Sequence, residues 1–267
     1  MSLPISPLQH SALITRLRTA GCVFAEDEAD LLVGTATTPD HLDTMVDRRV
    51  DGLPLEHVLG WAEFCGLRVT VDTGVFVPRR RTEFLVRRAV AQAPAQAVVV
   101  DLCCGTGALG AALAASLADA GRPVAELHAA DIDPAEVECA RRNLAGTGAL
   151  VYRGDLFAPL PEGLLGRVDV LLSNAPYVPT DDVDLLPHEA RIHEARVALD
   201  GGSDGLDVLR RVAAEAPRWL APGGRLLFEV SERQAPEALA MVTRNGMTAE
   251  LAEDDELYAT VVIGTRA

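Results

Sequence analysis

Lysine is absent from the sequence, so all 24 basic residues among its 267 are arginines. This excludes chemistry that depends on lysine, including Schiff-base formation, a lysine general base and a lysine phosphate clamp. Aromatic residues are also scarce, at 4%, whereas apolar residues reach 49%. We therefore expect a core of Leu, Val and Ala, in one large domain or in an ordinary domain with a small partner.

Positive charge is in deficit, because the formal net charge is −15. Proteins that bind nucleic acid through their overall field neutralise phosphates with basic residues, so the charge argues against such a partner and leaves only a local basic patch. The cysteines are five in number and lack the spacing of zinc ligands: Cys22, Cys65, Cys103, Cys104 and Cys139. We interpret them as reduced cytosolic thiols and predict no metal site.

Long hydrophobic runs are missing too. The N-terminus lacks the basic start and apolar stretch of a signal peptide, and no segment is apolar over a length that spans a bilayer. We therefore predict a cytoplasmic protein without a membrane partner.

Residues 1–60 have the pattern of short helices. Ser6-Pro7 and Thr38-Pro39 each place a capping hydroxyl before a proline at the first helical position, and apolar residues follow at helical spacing. A third candidate helix, 26–33, begins with acidic residues, as the helix dipole favours. These sixty residues carry no catalytic constellation, so we interpret them as a helical domain for substrate recognition or for simple support.

Residues 61–90 are predicted to form a hairpin and a connecting helix. Apolar residues alternate around Cys65-Gly66, which indicates two short strands, and Thr82 is a candidate cap for the helix that follows. The Arg79–Arg81 run is typical of a solvated face. Beside a catalytic cleft, the same run could instead order a substrate loop or pair with Glu83.

Residues 91–267 alternate between strands and helices, which predicts an α/β fold with a doubly wound, mostly parallel, Rossmann-like sheet. The predicted strands are 97–100, 125–130, 150–153, 168–173, 225–230 and a final one at 258–264. The predicted helices are 108–120, 134–144, 206–220 and 235–244. In such folds, ligands bind at the carboxyl ends of the strands.

The strand 168–173 ends in Asn174-Ala175-Pro176-Tyr177. The Asn174 side-chain oxygen and the Ala175 carbonyl can both accept hydrogen bonds, so together they can hold the two hydrogens of one planar NH2 group. Pro176 restricts the Ala175 backbone, and Tyr177 offers a ring face to a flat group. The alternative is an ordinary Asn-x-Pro loop turn.

A glycine turn, Asp101–Gly110, follows the first strand of this region and opens a helix. Gly105, Gly107 and Gly110 satisfy G-x-G-x-x-G, and Asp131 ends the next strand at the spacing of a ribose-binding carboxylate, so a dinucleotide is one interpretation. The acidic Asp101 before the glycines suits a cationic amino-acid end better than a pyrophosphate.

S-adenosylmethionine fits both the turn and the amide-holding tetrapeptide. Asp101 would lie near its charged methionine part, Asp131 would bind the ribose hydroxyls, and the segment 154–157 would border the adenine. The predicted cofactor-binding residues are Asp101, Cys103, Cys104, Gly105, Thr106, Gly107, Asp131, Asp155, Leu156 and Asn174. The predicted catalytic and substrate-binding residues are Asn174, Ala175, Pro176 and Tyr177, with Arg79 and Glu83 as further substrate contacts.

Over most of its length the sequence resembles the class I methyltransferases, and within them the protein-glutamine N5-methyltransferases that modify translation release factors. The resemblance rests on segments 54–60, 77–83, 101–110, 130–134, 174–177, 189–207 and 222–224, and residues 198–205 (ALDGGSDG) are specific to this family. It implies methyl transfer from S-adenosylmethionine to the Gln of a Gly-Gly-Gln loop, with S-adenosylhomocysteine as product. It also implies that the helical N-terminal domain helps to bind the release factor.

Three departures from the family pattern suggest a divergent relative and leave acceptors other than a release factor open. Ala175 stands where the family has proline, Arg80 and Arg81 replace Pro and Glu, and Cys103 and Cys104 occupy positions of Gly or a small hydroxyl residue. Methylation of adenine N6 or guanine N2 is one alternative, because those enzymes hold an exocyclic amine with similar tetrapeptides. A non-catalytic cofactor-binding protein is another. His188 and His193 could be bases, although surface or lid positions fit them better.

Overall fold

The computed structural model describes residues 3–267, and its N-terminal part is helical. The helices are α1 (Pro7–Thr19), α2 (Ala25–Thr35), α3 (Pro39–Val50) and α4 (Leu55–Leu59). The predicted caps are confirmed, because Ser6 accepts a hydrogen bond from the Gln9 backbone and Thr38 accepts one from the His41 backbone. Apolar side chains of these helices share a hydrophobic cluster of their own, which includes the fully buried Leu17.

The hairpin at Cys65-Gly66 is confirmed. Strands β1 (Trp61–Phe64) and β2 (Leu67–Thr70) pair antiparallel, and both turn residues have positive φ, +50° for Cys65 and +74° for Gly66. A 3-10 turn (Arg80–Thr82) then runs directly into α5 (Glu83–Gln92). The predicted cap at Thr82 is wrong, because Thr82 already has helical dihedrals and its hydroxyl caps nothing.

The central sheet has seven strands in the order β5-β4-β3-β6-β7-β9-β8. The elements in chain order are β3 (Val98–Leu102), α6 (Ala108–Asp119), β4 (Glu126–Asp131), α7 (Pro134–Leu144), β5 (Leu150–Arg153), β6 (Val168–Ser173), α8 (His188–His193), α9 (Asp207–Trp219), β7 (Leu220–Val230), α10 (Ala235–Arg244), β8 (Met247–Asp254) and β9 (Ala259–Arg266). Short 3-10 helices lie at Glu162–Leu164, Thr180–Leu185 and Arg196–Ala198.

The predicted fold class is confirmed, because β5, β4, β3, β6 and β7 are parallel and helices cover both faces. Strand β9 runs antiparallel between β7 and β8. The sequence analysis missed β8, an edge strand whose acidic, partly exposed residues lack the apolar alternation of a buried strand. None of the helices formed by residues 3–267 has the length and hydropathy that a membrane crossing requires.

The sheet brings two predicted loops together. From β3 the chain proceeds to β4 and β5 on one side of the sheet and then to β6 and β7 on the other. In doubly wound folds, such a reversal of strand order creates a ligand-binding crevice beyond the carboxyl ends of the strands. Leu102 at the end of β3 is the register partner of Ser173 at the end of β6. The glycine turn and the Asn174–Tyr177 tetrapeptide therefore leave the sheet side by side.

Candidate functional site

The glycine turn after β3 has the backbone shape that close ligand approach requires. Cys103, Gly105 and Gly107 have φ of +53°, +53° and +75°, a region that glycine adopts without a steric cost and cysteine adopts rarely. A Cβ added to Gly107 would lie 2.9 Å from a methyl carbon of Leu144 on α7. The turn therefore packs closely on α7 and presents the N-terminus of α6 to the crevice.

Asp131, at the end of β4, is fixed beside this turn by two backbone hydrogen bonds. Gly105 N donates to its Oδ2 at 2.9 Å, and Asp133 N donates to its Oδ1 at 3.0 Å. Burial raises the pKa of Asp131 even though these hydrogen bonds oppose the shift. The carboxylate is thus oriented before any ligand arrives.

A cavity, here called the cofactor cavity, lies over the turn and the ends of β3, β4 and β6. The predicted cofactor residues on its wall are Cys103, Cys104, Gly105, Thr106, Asp131, Asp155, Leu156 and Asn174. Gly107 is the residue that precedes α6, next to Thr106. Arg79, which was predicted to contact substrate, lies on this wall as well.

Asp101 lies beneath the turn and is absent from the cavity wall, contrary to the sequence-based position beside the methionine end. It is completely buried, and its Oδ2 accepts a hydrogen bond from Gly110 N at 3.0 Å. Burial raises its pKa to about 7. Asp101 therefore ties β3 to α6 through Oδ2, whereas its Oδ1 is buried without a partner among residues 3–267.

The tetrapeptide separates the cofactor cavity from a second one, here called the acceptor cavity. Asn174 to Val178 line the acceptor cavity together with Leu186, Pro187, Glu189 and Ala190. The residues that line both cavities are Phe76, Arg79, Asn174, Pro176 and Ala198. The Asn174 Oδ1 atom is buried and has no hydrogen-bond partner among residues 3–267. A hydrogen-bond acceptor is therefore free at the boundary between the two cavities.

The segment 198–205 forms the wall behind the tetrapeptide. A Cβ added to Gly205 would lie 2.1 Å from the Tyr177 carbonyl oxygen, and one added to Gly201 would lie 2.6 Å from that of Pro176. Gln234 Nε2 donates to the Tyr177 carbonyl at 2.8 Å. Only glycine at these positions allows the segment to pack against the backbone and fix its direction.

Two residues of the arginine run pair with buried carboxylates, whereas Arg80 between them is exposed, as expected of a solvated face. Arg79 Nη2 donates to the Glu194 carboxylate at 2.7 and 2.5 Å, and Glu194 is 6% exposed. Arg81 donates to Glu229 through Nε at 2.9 Å and to the Tyr177 hydroxyl at 2.6 Å. These pairs position the rim of the acceptor cavity. Burial, reinforced by Glu229, raises the pKa of Tyr177, so its hydroxyl stays protonated.

Glu83 lies away from both cavities. Its Oε1 accepts a hydrogen bond from Cys65 N at 3.0 Å, so it secures the hairpin and does not pair with the arginine run. His188 and His193 are on α8 and do not line the acceptor cavity. Among residues 3–267 no cluster of His, Cys, Asp and Glu has the arrangement of a metal site.

Several residues of the site were missed in the sequence analysis. Thr82 and Glu136 line the cofactor cavity, and each has a buried oxygen without a partner. Glu194 and Glu229 anchor the arginines from segments more than a hundred residues away. Glu194 lies in the segment 189–207 that carries part of the resemblance, but no spacing rule connects it to Arg79.

The cavity fits S-adenosylmethionine. It offers a glycine turn open to close approach, an oriented carboxylate at the end of β4, and unpartnered oxygens of Thr82 and Glu136 for donors of the ligand. The wall also includes apolar side chains beside Asp155, such as Leu156 and Val208, against which a purine can lie.

Comparison with known proteins indicates the family of the chain. The methyltransferase small domain family matches residues 66–204. A release factor glutamine methyltransferase of Geobacter sulfurreducens is 39% identical over 224 residues, 83% of this chain and 76% of that protein. A 4-amino-L-phenylalanine/4-methylamino-L-phenylalanine methyltransferase of Streptomyces pristinaespiralis is 35% identical over 240 residues, 87% of this chain and 80% of that protein.

Solved structures agree at the level of the fold. A methyltransferase from Pyrococcus furiosus superposes with a TM-score of 0.54 at 16% identity and covers 76% of this chain and 90% of its own. The fold, the cofactor cavity and the relatives lead to one assignment. The chain belongs to the release factor glutamine methyltransferase family of class I S-adenosylmethionine-dependent methyltransferases.

Proposed function

We propose that the protein methylates the side-chain amide nitrogen, N5, of a glutamine in a protein, and that the acceptor is the Gly-Gly-Gln loop of a translation release factor. The single observation that carries this proposal is the free Oδ1 of Asn174 at the boundary of the two cavities. The named activity of the Geobacter relative supports the choice of acceptor.

The chemistry requires positioning more than proton removal. An amide nitrogen is a weak nucleophile because its lone pair is delocalised, and no side chain of ordinary pKa can deprotonate it in advance. Bound S-adenosylmethionine supplies a sulfonium methyl group, and in one displacement the nitrogen–carbon bond forms as the sulfur–carbon bond breaks. The nitrogen then releases one proton to solvent, and S-adenosylhomocysteine leaves.

Asn174 and Ala175 carry the proposed catalysis. Asn174 Oδ1 and the Ala175 carbonyl accept the two amide hydrogens, so they orient the nitrogen and stabilise the positive charge that develops on it. Pro176 shapes the opening between the cavities, and Tyr177 packs against the glutamine. Because Arg81 and Glu229 fix the Tyr177 hydroxyl, the ring has a defined position.

The remaining assignments follow from the cavity walls. We assign the cofactor to Cys103 through Gly107, Asp131, Asp155, Leu156 and Asn174, with Arg79 at the junction with the acceptor.

We propose a helical recognition domain at 1–60, a connecting unit at 61–90 and a methyltransferase domain at 91–267. An enzyme that modifies a release factor works in the cytoplasm, which is the location we propose.

A second candidate acceptor is the aromatic amine of a free amino acid. The Streptomyces relative, whose named substrate is 4-amino-L-phenylalanine, aligns with 87% of this chain. An aromatic NH2 presents the same two hydrogens to Asn174 and Ala175. Tyr177 can also stack on an aryl ring.

Methyl transfer to competing acceptors distinguishes these functions. Purified protein is incubated with methyl-labelled S-adenosylmethionine and one acceptor at a time: a release factor, the same factor with its Gly-Gly-Gln glutamine changed to alanine, 4-amino-L-phenylalanine, and RNA. We expect label on the unmodified release factor alone, mapped by mass spectrometry to that glutamine. Label on the free amino acid or on RNA would overturn the proposed acceptor.

A further inference from the structure

A buried carboxyl group on the wall of the cofactor cavity has no role in the methyl transfer proposed above. Glu136 lies in the first turn of α7 and is only 3% exposed. Its Oε1 accepts a hydrogen bond from Phe76 N at 2.7 Å, whereas Oε2 has no partner among residues 3–267. A Cβ added to Gly105 would lie 3.5 Å from Oε2. The free oxygen therefore faces the glycine turn at the cavity wall.

The charged groups around Glu136 are mostly acidic. Asp131 at the end of β4, Asp133 at the start of α7 and Glu194 after α8 all disfavour a second negative charge. Burial is the largest cause, and together with these carboxylates it raises the pKa of Glu136 to about 8, against the opposing effect of Phe76 N–H. The carboxyl group of the free protein is therefore mostly protonated at pH 7.

The nearby groups offer Glu136 no compensation. The two arginines on the cavity wall already have carboxylate partners, Arg79 with Glu194 and Arg211 with Asp155. The Cys104 thiol on the same wall has a pKa raised by burial, so it remains neutral. A cation that enters the cavity is thus the missing partner of this carboxyl group.

S-adenosylmethionine brings such a cation. Its sulfonium and ammonium groups outweigh its single carboxylate, which gives a net charge of +1, whereas S-adenosylhomocysteine has no net charge. We propose that Glu136 is a further cofactor-site residue. It loses its proton to solvent when S-adenosylmethionine binds, and the resulting carboxylate favours the cationic cofactor over the neutral product. This inference concerns the cofactor alone and does not depend on the acceptor.

A structural role for Glu136 can be separated from this proposal. The substitution Glu136→Gln keeps an oxygen for the Phe76 N–H and removes only the titrating group. Burial also raises the pKa of three other carboxyl groups nearby: Asp101, which contacts Gly110 and lies off the cavity wall, Asp131 and Glu194. All three remain in the variant, so any proton that they release persists there. Glu138→Gln is the matched control, because Glu138 is exposed on the same helix and pairs with Arg141.

Proton release on binding tests the proposal directly. Titration calorimetry at pH 7 in buffers of different ionisation enthalpy counts the protons released per ligand bound. We expect the wild type and Glu138→Gln to release roughly 0.5–0.9 proton with S-adenosylmethionine and much less with S-adenosylhomocysteine. Glu136→Gln should release almost none with either ligand, and its preference for S-adenosylmethionine should fall about 3–10-fold.

Equal proton release by the wild type and Glu136→Gln would overturn the proposal. Should the variant fail to fold, the wild type alone still provides a test. Its affinity for S-adenosylmethionine should rise between pH 6 and 8, by up to about tenfold per pH unit at the acidic end, while the affinity for S-adenosylhomocysteine changes little. A flat pH profile for S-adenosylmethionine would contradict the proposal equally.

Discussion

The cofactor cavity and the acceptor cavity share part of their walls, but they are positioned by different interactions. On the cofactor side, backbone N–H groups hold two carboxylates at the ends of neighbouring strands: Gly105 N on Asp131 and Gly110 N on Asp101. These contacts follow from parallel strands that end at the same edge of the sheet. The cofactor side is thus a local consequence of the fold.

The acceptor side depends on side chains that are distant in the sequence. Arg49 on α3 donates to Glu28 at 2.6 Å and to Glu189 on α8 at 2.6 Å, which links the N-terminal helices to the rim of the acceptor cavity. Arg79 and Arg81 hold that rim through Glu194 and Glu229, as described above. Substitutions at the rim should therefore leave cofactor binding intact but disturb the geometry of the acceptor cavity.

The largest effect expected from this difference is on stability. In Arg49→Met, the buried Glu28 loses its cationic partner and the Leu53 carbonyl loses a donor. We therefore expect the free energy of unfolding, measured in urea, to fall by about 3–5 kcal/mol. The neighbouring Arg48→Met is the control, because the Arg48 side chain is only partly buried and donates a long hydrogen bond to the Thr73 hydroxyl, at 3.4 Å. It should change stability by less than about 0.5 kcal/mol. Equal losses of stability in both variants would contradict a specific role for the pairing of Arg49 with Glu28 and Glu189.

Asn174→Ala tests the boundary between the two cavities. We expect kcat to fall about 10²–10³-fold, because the variant loses an acceptor for the amide hydrogens, while the Kd for S-adenosylmethionine stays within about threefold. Asn245→Ala, at the end of α10, is the control and should behave as the wild type. Unchanged turnover in Asn174→Ala would refute the proposed mechanism.

The free protein should show the buried carboxyl group in its pH profile. The pKa of Glu136 is raised to about 8 from 4.5, so the folded chain retains a proton that the unfolded chain releases above pH 4.5. Stability from this group is present at pH 4–5 and is lost as the pH rises towards 8. Between pH 5 and pH 8, we expect the wild type to lose about 1–3 kcal/mol more unfolding free energy than Glu136→Gln. Parallel profiles in chemical denaturation would contradict this assignment.

Thr82→Val tests the cofactor side with an isosteric change. The buried Thr82 hydroxyl has no partner among residues 3–267 and lies on the cofactor cavity wall, so we expect it to bind the cofactor. The variant should bind S-adenosylmethionine about 3–10-fold more weakly by calorimetry, without loss of stability. Thr248→Val, on the exposed side of β8, is the control. Unaltered affinity in Thr82→Val would show that the Thr82 hydroxyl does not bind the cofactor.

The smallest effect is expected at Ala175. The family has proline at this position, and Ala175→Pro should raise the free energy of unfolding by about 0.4–1 kcal/mol, because proline restricts the unfolded chain. A modest rise in kcat should accompany it, since the carbonyl of residue 175 becomes better ordered. Loss of stability in thermal or urea unfolding would show that the backbone at Ala175 cannot accept proline.

The sequence was sufficient for the features that depend on neighbours in the chain. The glycine turn, the position of Asp131 and the tetrapeptide at the end of β6 could be predicted, because strand-end loops of a parallel sheet converge. The edge strand β8 could not, because only two of its eight residues are buried and its pattern is polar. Thr82 seemed to be a helix cap because Ser, Thr and Asp favour that position, but a 3-10 turn already precedes the helix.

The long-range ion pairs could not be predicted from the sequence, for a physical reason. A run of arginines has the same pattern whether it faces water or a buried carboxylate, and the partners Glu194 and Glu229 lie 115 and 148 residues away from Arg79 and Arg81. The sequence pattern of the helix predicts that Glu136 is exposed to solvent. Only the packing of α7 against the glycine turn turns it inward.

The most direct test of the central claim is a crystal structure with S-adenosylhomocysteine in the cofactor cavity and a Gly-Gly-Gln peptide in the acceptor cavity. We expect the glutamine amide nitrogen to lie at about 2.7–3.2 Å from both Asn174 Oδ1 and the Ala175 carbonyl oxygen, with its lone pair directed at the thioether sulfur. A glutamine side chain that contacts neither oxygen, or a peptide bound outside the acceptor cavity, would contradict the account.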